Sequence, residues 1–210
     1  MSNTRKNILI TGASGMIGKA LRKHLSKAGY RTYPLLRDRL DGAFCYDQEK
    51  GAVYLDPEIP LHGVINLAGA NISDKRWSEK RKQEIISSRE LLTKALSEAL
   101  ASLKNKPAVL MSGSAIGYYG ATGTGHATEE SPAGSDFLAE VATRWERATL
   151  AAREAGIRTV DMRFGIVLSV TGGVLKKFLL PMRLAVVGPI GTGHQKISWI
   201  SIHDVLRLVE

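Results

Sequence analysis

The chain has 210 residues, of which 44% are hydrophobic and 23% charged, close to the averages of globular proteins. This composition excludes collagen-like, mucin-like and wholly disordered classes, and the length predicts one domain, or one domain with an appendage. Lysine and arginine total 29 against 20 for aspartate and glutamate, a net charge of +9. That excess raises the hypothesis of an anionic partner, either nucleic acid, a membrane surface or a phosphorylated small molecule.

The single cysteine, Cys45, excludes an internal disulfide framework and a cysteine-based zinc site, and it fits a reducing compartment. The first apolar run, residues 8–10, is too short for a signal peptide. No stretch approaches the roughly 20 apolar residues that a membrane span needs. We therefore expect a cytoplasmic protein without a membrane segment, with an organellar import peptide left open.

Short apolar runs alternate with helical patterns along the chain. Strands are predicted over residues 7–10, 31–36, 63–67, 107–111 and 158–163, with weaker strand patterns at 45–46 and 53–55, and helices over residues 15–28, 78–103 and 136–155. This alternation predicts right-handed βαβ units and a doubly wound parallel α/β sheet, with ligands at the carboxyl ends of the strands. From residue 166 onward, glycine and proline interrupt short apolar pieces, which predicts a smaller segment that does not fold alone.

A glycine-rich segment, residues 11–18 with the sequence TGASGMIG, follows the first strand and opens the first helix. Gly12 is expected to make the tight turn, Gly15 to let the backbone approach a pyrophosphate, and Gly18 to let the helix pack on the sheet. The helix amino terminus offers free N–H groups to the phosphates. The lysine of a P-loop does not follow, which excludes a P-loop kinase or ATPase. The predicted phosphate-binding residues are Gly12, Ser14, Gly15, Met16, Ile17 and Gly18.

The end of the second strand predicts which dinucleotide is bound. An acidic residue there accepts from the 2′-hydroxyl of NAD, whereas an arginine suits the 2′-phosphate of NADP. Leu36 is followed by Arg37, Asp38 and Arg39. We predict that Arg37 contacts the 2′-phosphate, with Arg39 as a second contact, so that NADP(H) is preferred. Asp38 leaves NAD(H) as the alternative cofactor, and a solvated basic turn is the alternative interpretation.

Three motifs together resemble an atypical or extended short-chain dehydrogenase/reductase of the epimerase-like subgroup, the NAD-dependent epimerase/dehydratase family. They are the glycine-rich loop, Asn66-Leu67-Ala68-Gly69 at a strand exit, and Ser112-Gly113-Ser114-Ala115 ahead of Tyr119. Residues 75–89 and 188–204 extend the similarity, which covers nearly the whole chain.

This resemblance implies a Rossmann domain that binds NADP over residues 1–165 and the start of a small substrate region over residues 166–210. Members of the subgroup are longer, so this region looks truncated. An exposed helix face is the alternative for two of the implied cofactor contacts, Glu84 and Arg89. The full set of implied contacts outside the glycine-rich loop is Leu36, Arg37, Leu67, Ala68, Gly69, Glu84, Arg89, Ser112 and Val167.

Members of the resembled superfamily reduce or oxidise substrates with a tyrosine that supplies a proton, a lysine four residues later, and a serine that orients the carbonyl. Ser114 matches the serine and is expected to polarise a substrate carbonyl. Leu138 and Ala142 fall at the tyrosine and lysine positions, and neither side chain transfers a proton. Tyr119, in the loop after a strand, is the candidate acid, with a packing aromatic as the alternative.

The sequence thus predicts an NADP(H)-binding oxidoreductase or epimerase-like protein for a small carbonyl, alcohol or nucleotide-sugar substrate. A catalytically inactive NADPH-binding sensor is the first alternative. A nucleic-acid-binding module is the second, which the scattered tryptophans disfavour. No metal site is predicted, because the histidines lack ligand spacing. Asp204 is expected to cap the last helix with His203 packed beneath it, and a homodimer is left open.

Overall fold

The computed structural model describes residues 5–39, 42–121, 125–184, 188, 193 and 196–210. In chain order its strands and helices are β1 (Asn7–Thr11), α1 (Met16–Lys27), β2 (Arg31–Pro34), β3 (Leu36–Arg37), β4 (Phe44–Asp47), β5 (Ala52–Leu55), β6 (Gly63–Asn66), α2 (Glu79–Ala101), β7 (Val109–Ala115), α3 (Phe137–Arg147), α4 (Leu150–Glu154), β8 (Arg158–Phe164), β9 (Ile166–Leu168), α5 (Gly173–Arg183), β10 (Trp199–Ser201) and α6 (Ile202–Val209).

The central sheet has five parallel strands in the order β2-β1-β6-β7-β8. Successive residues of β1 point to opposite faces. Leu9 packs with Leu96 of α2, whereas Ile10 packs with Leu21 of α1 and Val205 of α6. Helices therefore cover both faces, which explains why the inner strands are continuously apolar rather than alternating. The prediction of a doubly wound α/β sheet is confirmed.

The predicted strand 31–36 is wrong at its end, because the chain changes sheets at Pro34. The last bond to β1 runs from Leu35 N to Ile10 O at 3.0 Å, and the next residues pair elsewhere. Leu36 and Arg37 pair with Cys45 and Tyr46 in a second, three-stranded sheet, β3-β4-β5. The weak strand patterns at 45–46 and 53–55 are confirmed as β4 and β5, an antiparallel pair.

The predicted helix over residues 136–155 is two helices, α3 and α4. The break lies at Thr149, whose backbone N–H and hydroxyl both hydrogen-bond to the carbonyl oxygen of Glu146, at 3.2 and 2.7 Å. This tight turn with its competing side-chain bond interrupts the regular ladder.

The predicted cap of the last helix is also wrong. Ser201 precedes the first helical residue and accepts from the backbone N–H of Asp204 at 3.1 Å, since a capping side chain must lie before the helix it caps. His203 is exposed rather than packed beneath it.

The segment after residue 165 forms α5 and a two-stranded parallel sheet, β10-β9. Within this segment, Gly172 and Gly173 lie against the side chain of Met16, and Val205 of α6 packs with Ile10 and Leu21. Within the described residues no helix is long and apolar enough to cross a bilayer. The same part of the chain contains no group of three or more side chains suited to holding a metal ion.

Candidate functional site

The glycine-rich loop joins β1 to α1 and has little room for side chains. Gly12 has φ +62°, and a Cβ there would lie 2.6 Å from the carbonyl oxygen of Leu67. A Cβ on Gly18 would collide with the carbonyl oxygen of Gly12. The turn at Gly12 and the close packing at Gly18 are therefore both obligatory for this backbone.

The amino terminus of α1 has no side-chain cap. Gly15 is the capping residue, and the first helical hydrogen bond runs from Lys19 N to Gly15 O at 2.9 Å. The backbone N–H groups of Met16, Ile17 and Gly18 precede that bond, so they face the helix end with its partial positive charge. This is the arrangement that binds phosphate groups at helix termini.

A cavity of about 650 Å³ opens beside this loop and beneath the exits of β2 and β6. Eight of the predicted contacts line it together: Gly12, Ser14, Gly15, Leu36, Arg37, Leu67, Ala68 and Gly69. Two further cations, Lys19 and Arg22, also line it and were missed from the sequence. Their spacing could have indicated this, because residues four and seven positions after Gly15 fall on the same face of α1 as Gly15.

The acidic residue after β3, Asp38, is not among the residues that line this cavity. Asp38 adopts φ +51°, its carboxylate accepts from the backbone N–H of Gln48 at 2.9 Å, and its own N–H donates to Tyr46 O at 2.9 Å. Arg37 instead lines both the main cavity and a neighbouring one of about 450 Å³. Burial raises the pKa of the Tyr46 phenol, and nearby Arg37 partly opposes that shift.

A buried polar network fixes the strand exits beneath the cavity. Thr11 Oγ1 donates to Asn66 Oδ1 at 2.7 Å and accepts from the N–H groups of Leu67 and Ala68, both at 3.0 Å. Asn66 Nδ2 donates onward to Thr93 at 2.8 Å and to Ser112 at 3.1 Å. Ser112 is fully buried within this network, so its hydroxyl supports the cleft from below rather than lining it.

The two helix residues implied as cofactor contacts have different surroundings. Arg89 lies under the Gly69–Ala70 turn and donates to Ala70 O and Ile85 O, both at 3.0 Å, and burial lowers its pKa to about 10. Glu84 is exposed and lines the neighbouring cavity, where Arg81 pairs with it at 2.6 Å and lowers its pKa. The exposed-face alternative therefore describes Glu84 and not Arg89.

Three other predicted contacts lie apart from the main cavity. Met16 lines a groove between α1 and the segment after β8, together with Ser14. Ile17 and Val167 pack against the core cluster that contains Ile10. Their proposed contacts with the cofactor stay predictions.

The candidate catalytic residues belong to one chain of hydrogen bonds. Ser114 Oγ, 4% exposed, donates to Glu146 at 2.6 Å. Arg163 donates from Nε and Nη2 to the two carboxylate oxygens of Glu146 at 2.8 and 2.9 Å, and from Nη1 to Tyr119 Oη at 2.8 Å. Glu146 and Arg163 were not predicted as site residues; Arg163 is the direct cross-strand partner of Ser114 in β7 and β8.

The positions that resemble the missing tyrosine and lysine are filled by packing. Leu138 lies against Gly117, and Ala142 is 1% exposed in α3. Trp145 is also buried in α3, so it cannot serve as the stacking platform that a single-stranded nucleic acid would need.

Epimerase family proteins match this chain both in sequence and in fold. Epimerase family proteins of Mycobacterium tuberculosis (MT2273) and Bacillus subtilis (YfhF) are each 35% identical over 97% of this chain and 67% and 68% of their own lengths. The crystal structure of human epimerase family protein SDR39U1 (isoform 2) with NADPH matches with a TM-score of 0.83 and 32% identity, covering 97% of this chain and 68% of that one.

A nucleoside-diphosphate sugar epimerase from Corynebacterium glutamicum matches with a TM-score of 0.80 and 32% identity, covering 98% of this chain and 43% of that one. The model of the NAD dependent epimerase/dehydratase family matches residues 8–209, which confirms the resemblance seen in the motifs. The chain belongs to the NAD dependent epimerase/dehydratase family.

Proposed function

We propose that this chain is an NADP(H)-binding oxidoreductase or epimerase-like protein. The observation that carries the proposal is the uncapped helix end at the glycine-rich loop, which opens into a cavity lined by Lys19, Arg22 and Arg37. The crystal structure of the human relative with NADPH supports it. When bound, such a cofactor supplies or accepts a hydride.

Different residues of the cavity would bind different parts of the cofactor. The N–H groups of Met16, Ile17 and Gly18 would hold the pyrophosphate, and Thr11 would keep the Leu67–Ala68 turn in place beside it. Arg37 would bind the 2′-phosphate of NADP. The Asp38 carboxylate, which would accept from the ribose hydroxyl of NAD, accepts from Gln48 N instead and is not among the residues that line the main cavity, and this favours NADP(H).

The substrate would be a small carbonyl, an alcohol or a nucleotide sugar, with Tyr119 as the proton donor. Ser114 was expected to polarise the substrate carbonyl, and that role requires its hydroxyl hydrogen. In this structure the hydrogen is donated to Glu146 at 2.6 Å, which supports Tyr119 as the group that would donate to the substrate oxygen.

Thermal unfolding with each cofactor tests the proposal. NADPH at about 100 times its Kd should stabilise the chain by about 2.7 kcal/mol, and NADH at the same concentration by less. Gly12→Ala should abolish the shift. Gly51→Ala is the matched control, because Gly51 has the same φ of +62° but no neighbour within 4 Å. Negligible shifts with both cofactors would remove the proposal.

An NADPH-binding sensor without turnover is the second candidate function. The observation that favours it is the packing of Leu138 and Ala142 at the positions of the usual proton-transfer pair. A screen of small aldehydes and ketones that follows NADPH absorbance separates the two. Oxidation of NADPH above the rate without protein would exclude the sensor, whereas tight binding without oxidation would favour it.

A further inference from the structure

A cation lies beside the candidate proton donor even though the usual lysine is missing. Arg163 of β8 donates to Tyr119 Oη at 2.8 Å, and its guanidinium carbon lies 3.6 Å from the centre of the Tyr118 ring. Tyr119 ends the 3₁₀ turn Ile116–Tyr119, which directly follows β7. This is the carboxyl edge of the sheet, where open α/β folds bind their ligands.

Glu146 of α3 fixes the Arg163 guanidinium in one orientation. Two N–H groups of Arg163 meet the two oxygens of Glu146 in a forked arrangement, and both side chains are largely buried. Nη1 also donates to the carbonyl oxygen of Glu129 at 3.3 Å. A guanidinium in a protein neither accepts nor releases a proton, so Arg163 acts on Tyr119 only as a fixed donor.

We infer that Arg163, held by Glu146, is the positioning residue for Tyr119, and that this Tyr–Arg pair takes the place of the missing Tyr–Lys pair. The inference rests on the proposed oxidoreductase function. Tyr119 Oη uses a lone pair to accept from Arg163, which leaves its single hydrogen free for a substrate oxygen.

The pair accounts for the proton in a carbonyl reduction. Tyr119 Oη gives its proton to the carbonyl oxygen while the carbonyl carbon gains a hydride from the reduced nicotinamide, and an alcohol forms. The negative charge left on Oη is stabilised by the hydrogen bond from Arg163, and Tyr119 regains a proton from water. Lysine could not make the two-pronged contact with Glu146 that holds the arginine in place.

The reactivity of the Tyr119 oxygen can be measured without substrate or cofactor. N-acetylimidazole acetylates phenol oxygens with release of imidazole, and peptide mass spectrometry reads each tyrosine separately. In the full chain at neutral pH, Arg163→Met should slow acetylation of Tyr119 by about tenfold, the weaker end of the effect expected from a charge-assisted hydrogen bond. Tyr54, which is 44% exposed, should react unchanged and serves as the internal reference.

Arg153→Met is the matched control. Arg153 pairs with Asp161, which lies on β8 as Arg163 does, and its replacement should leave the acetylation rate of Tyr119 unchanged. An unchanged Tyr119 rate in a folded Arg163→Met protein would overturn the inference. If circular dichroism shows that this variant does not fold, Arg163→Lys replaces it. There the Tyr119 rate should fall severalfold, and a rate equal to that of the parent would overturn the inference.

The NADPH thermal shift of the parent chain separates the two proposals. A clear shift with a Tyr119 rate insensitive to Arg163 would refute the positioning role and leave cofactor binding intact. No shift, together with a Tyr119 rate that depends on Arg163, would refute the proposed function and leave only the effect of Arg163 on the Tyr119 oxygen.

Discussion

Replacing Thr11 with valine should be among the most damaging single changes near the cavity. The two side chains have the same shape, so the change removes one hydroxyl and little packing. Thr11 Oγ1 accepts from the N–H groups of Leu67 and Ala68 and donates to Asn66, and it is 1% exposed. Thr11→Val therefore leaves three buried polar groups without this partner, at about 1–3 kcal/mol each.

We expect Thr11→Val to lower the free energy of unfolding by about 3–5 kcal/mol, since the groups share one site and their costs do not add fully. Thr11→Ser is the control, because it keeps the hydroxyl and loses one methyl group at about 1 kcal/mol. Urea unfolding gives the free energy of unfolding of both variants, provided that their m-values equal that of the parent. The NADPH affinity should fall with Thr11→Val, because Leu67 and Ala68 line the cavity. A valine variant within 1 kcal/mol of the serine variant would refute this reasoning.

Two further variants test the charges. Arg37→Leu should weaken NADPH binding about tenfold and leave NADH binding nearly unchanged in titration calorimetry, because it removes a charge-assisted contact with the 2′-phosphate. Lys23→Leu is the control, because Lys23 lines the groove between α1 and the segment after β8 rather than the main cavity. An equal loss of affinity for both cofactors in Arg37→Leu would contradict the assignment of Arg37 to the 2′-phosphate. Burial raises the pKa of Asp161 from 3.8 to about 6 against the opposing charge of Arg153, so the native state binds more protons than the unfolded state between these values. The free energy of unfolding should therefore fall by roughly 1–2 kcal/mol as pH rises through that window, and Asp161→Asn should remove this fall in urea unfolding at pH 4 and 7. An Asn variant with the same pH dependence as the parent would show that another group is responsible.

The glycine-rich loop and the inner strands could be predicted because their signals are local. Gly12, Gly15 and Gly18 recur at every third residue between the first strand and the first helix. The strands β1 and β6 are short apolar runs. The sheet change after Pro34 could not be predicted, since it depends on the pairing of Leu36 and Arg37 with Cys45 and Tyr46, each nine positions further along the chain.

The Ser114–Glu146–Arg163 contacts were missed for a similar reason. Ser114 and Arg163 are 49 positions apart and become neighbours only through the register of β7 and β8. Glu146 joins them from a helix on the sheet. In the sequence, Glu146 and Arg163 look like ordinary charges of a basic protein, as do Lys19 and Arg22 in the main cavity.

The burial of Trp145 gives the chain an optical reporter beneath its cofactor cleft. Its indole N–H donates to Thr93 at 3.1 Å, and Arg89 lies 5.0 Å from its ring. The other two tryptophans, Trp77 and Trp199, are 39% and 64% exposed. An aqueous quencher such as iodide would extinguish the emission of the exposed pair first, and the fluorescence that survives would come mainly from Trp145. A change in that protected emission when a dinucleotide is added would then register events at the Gly69–Ala70 turn without any added label.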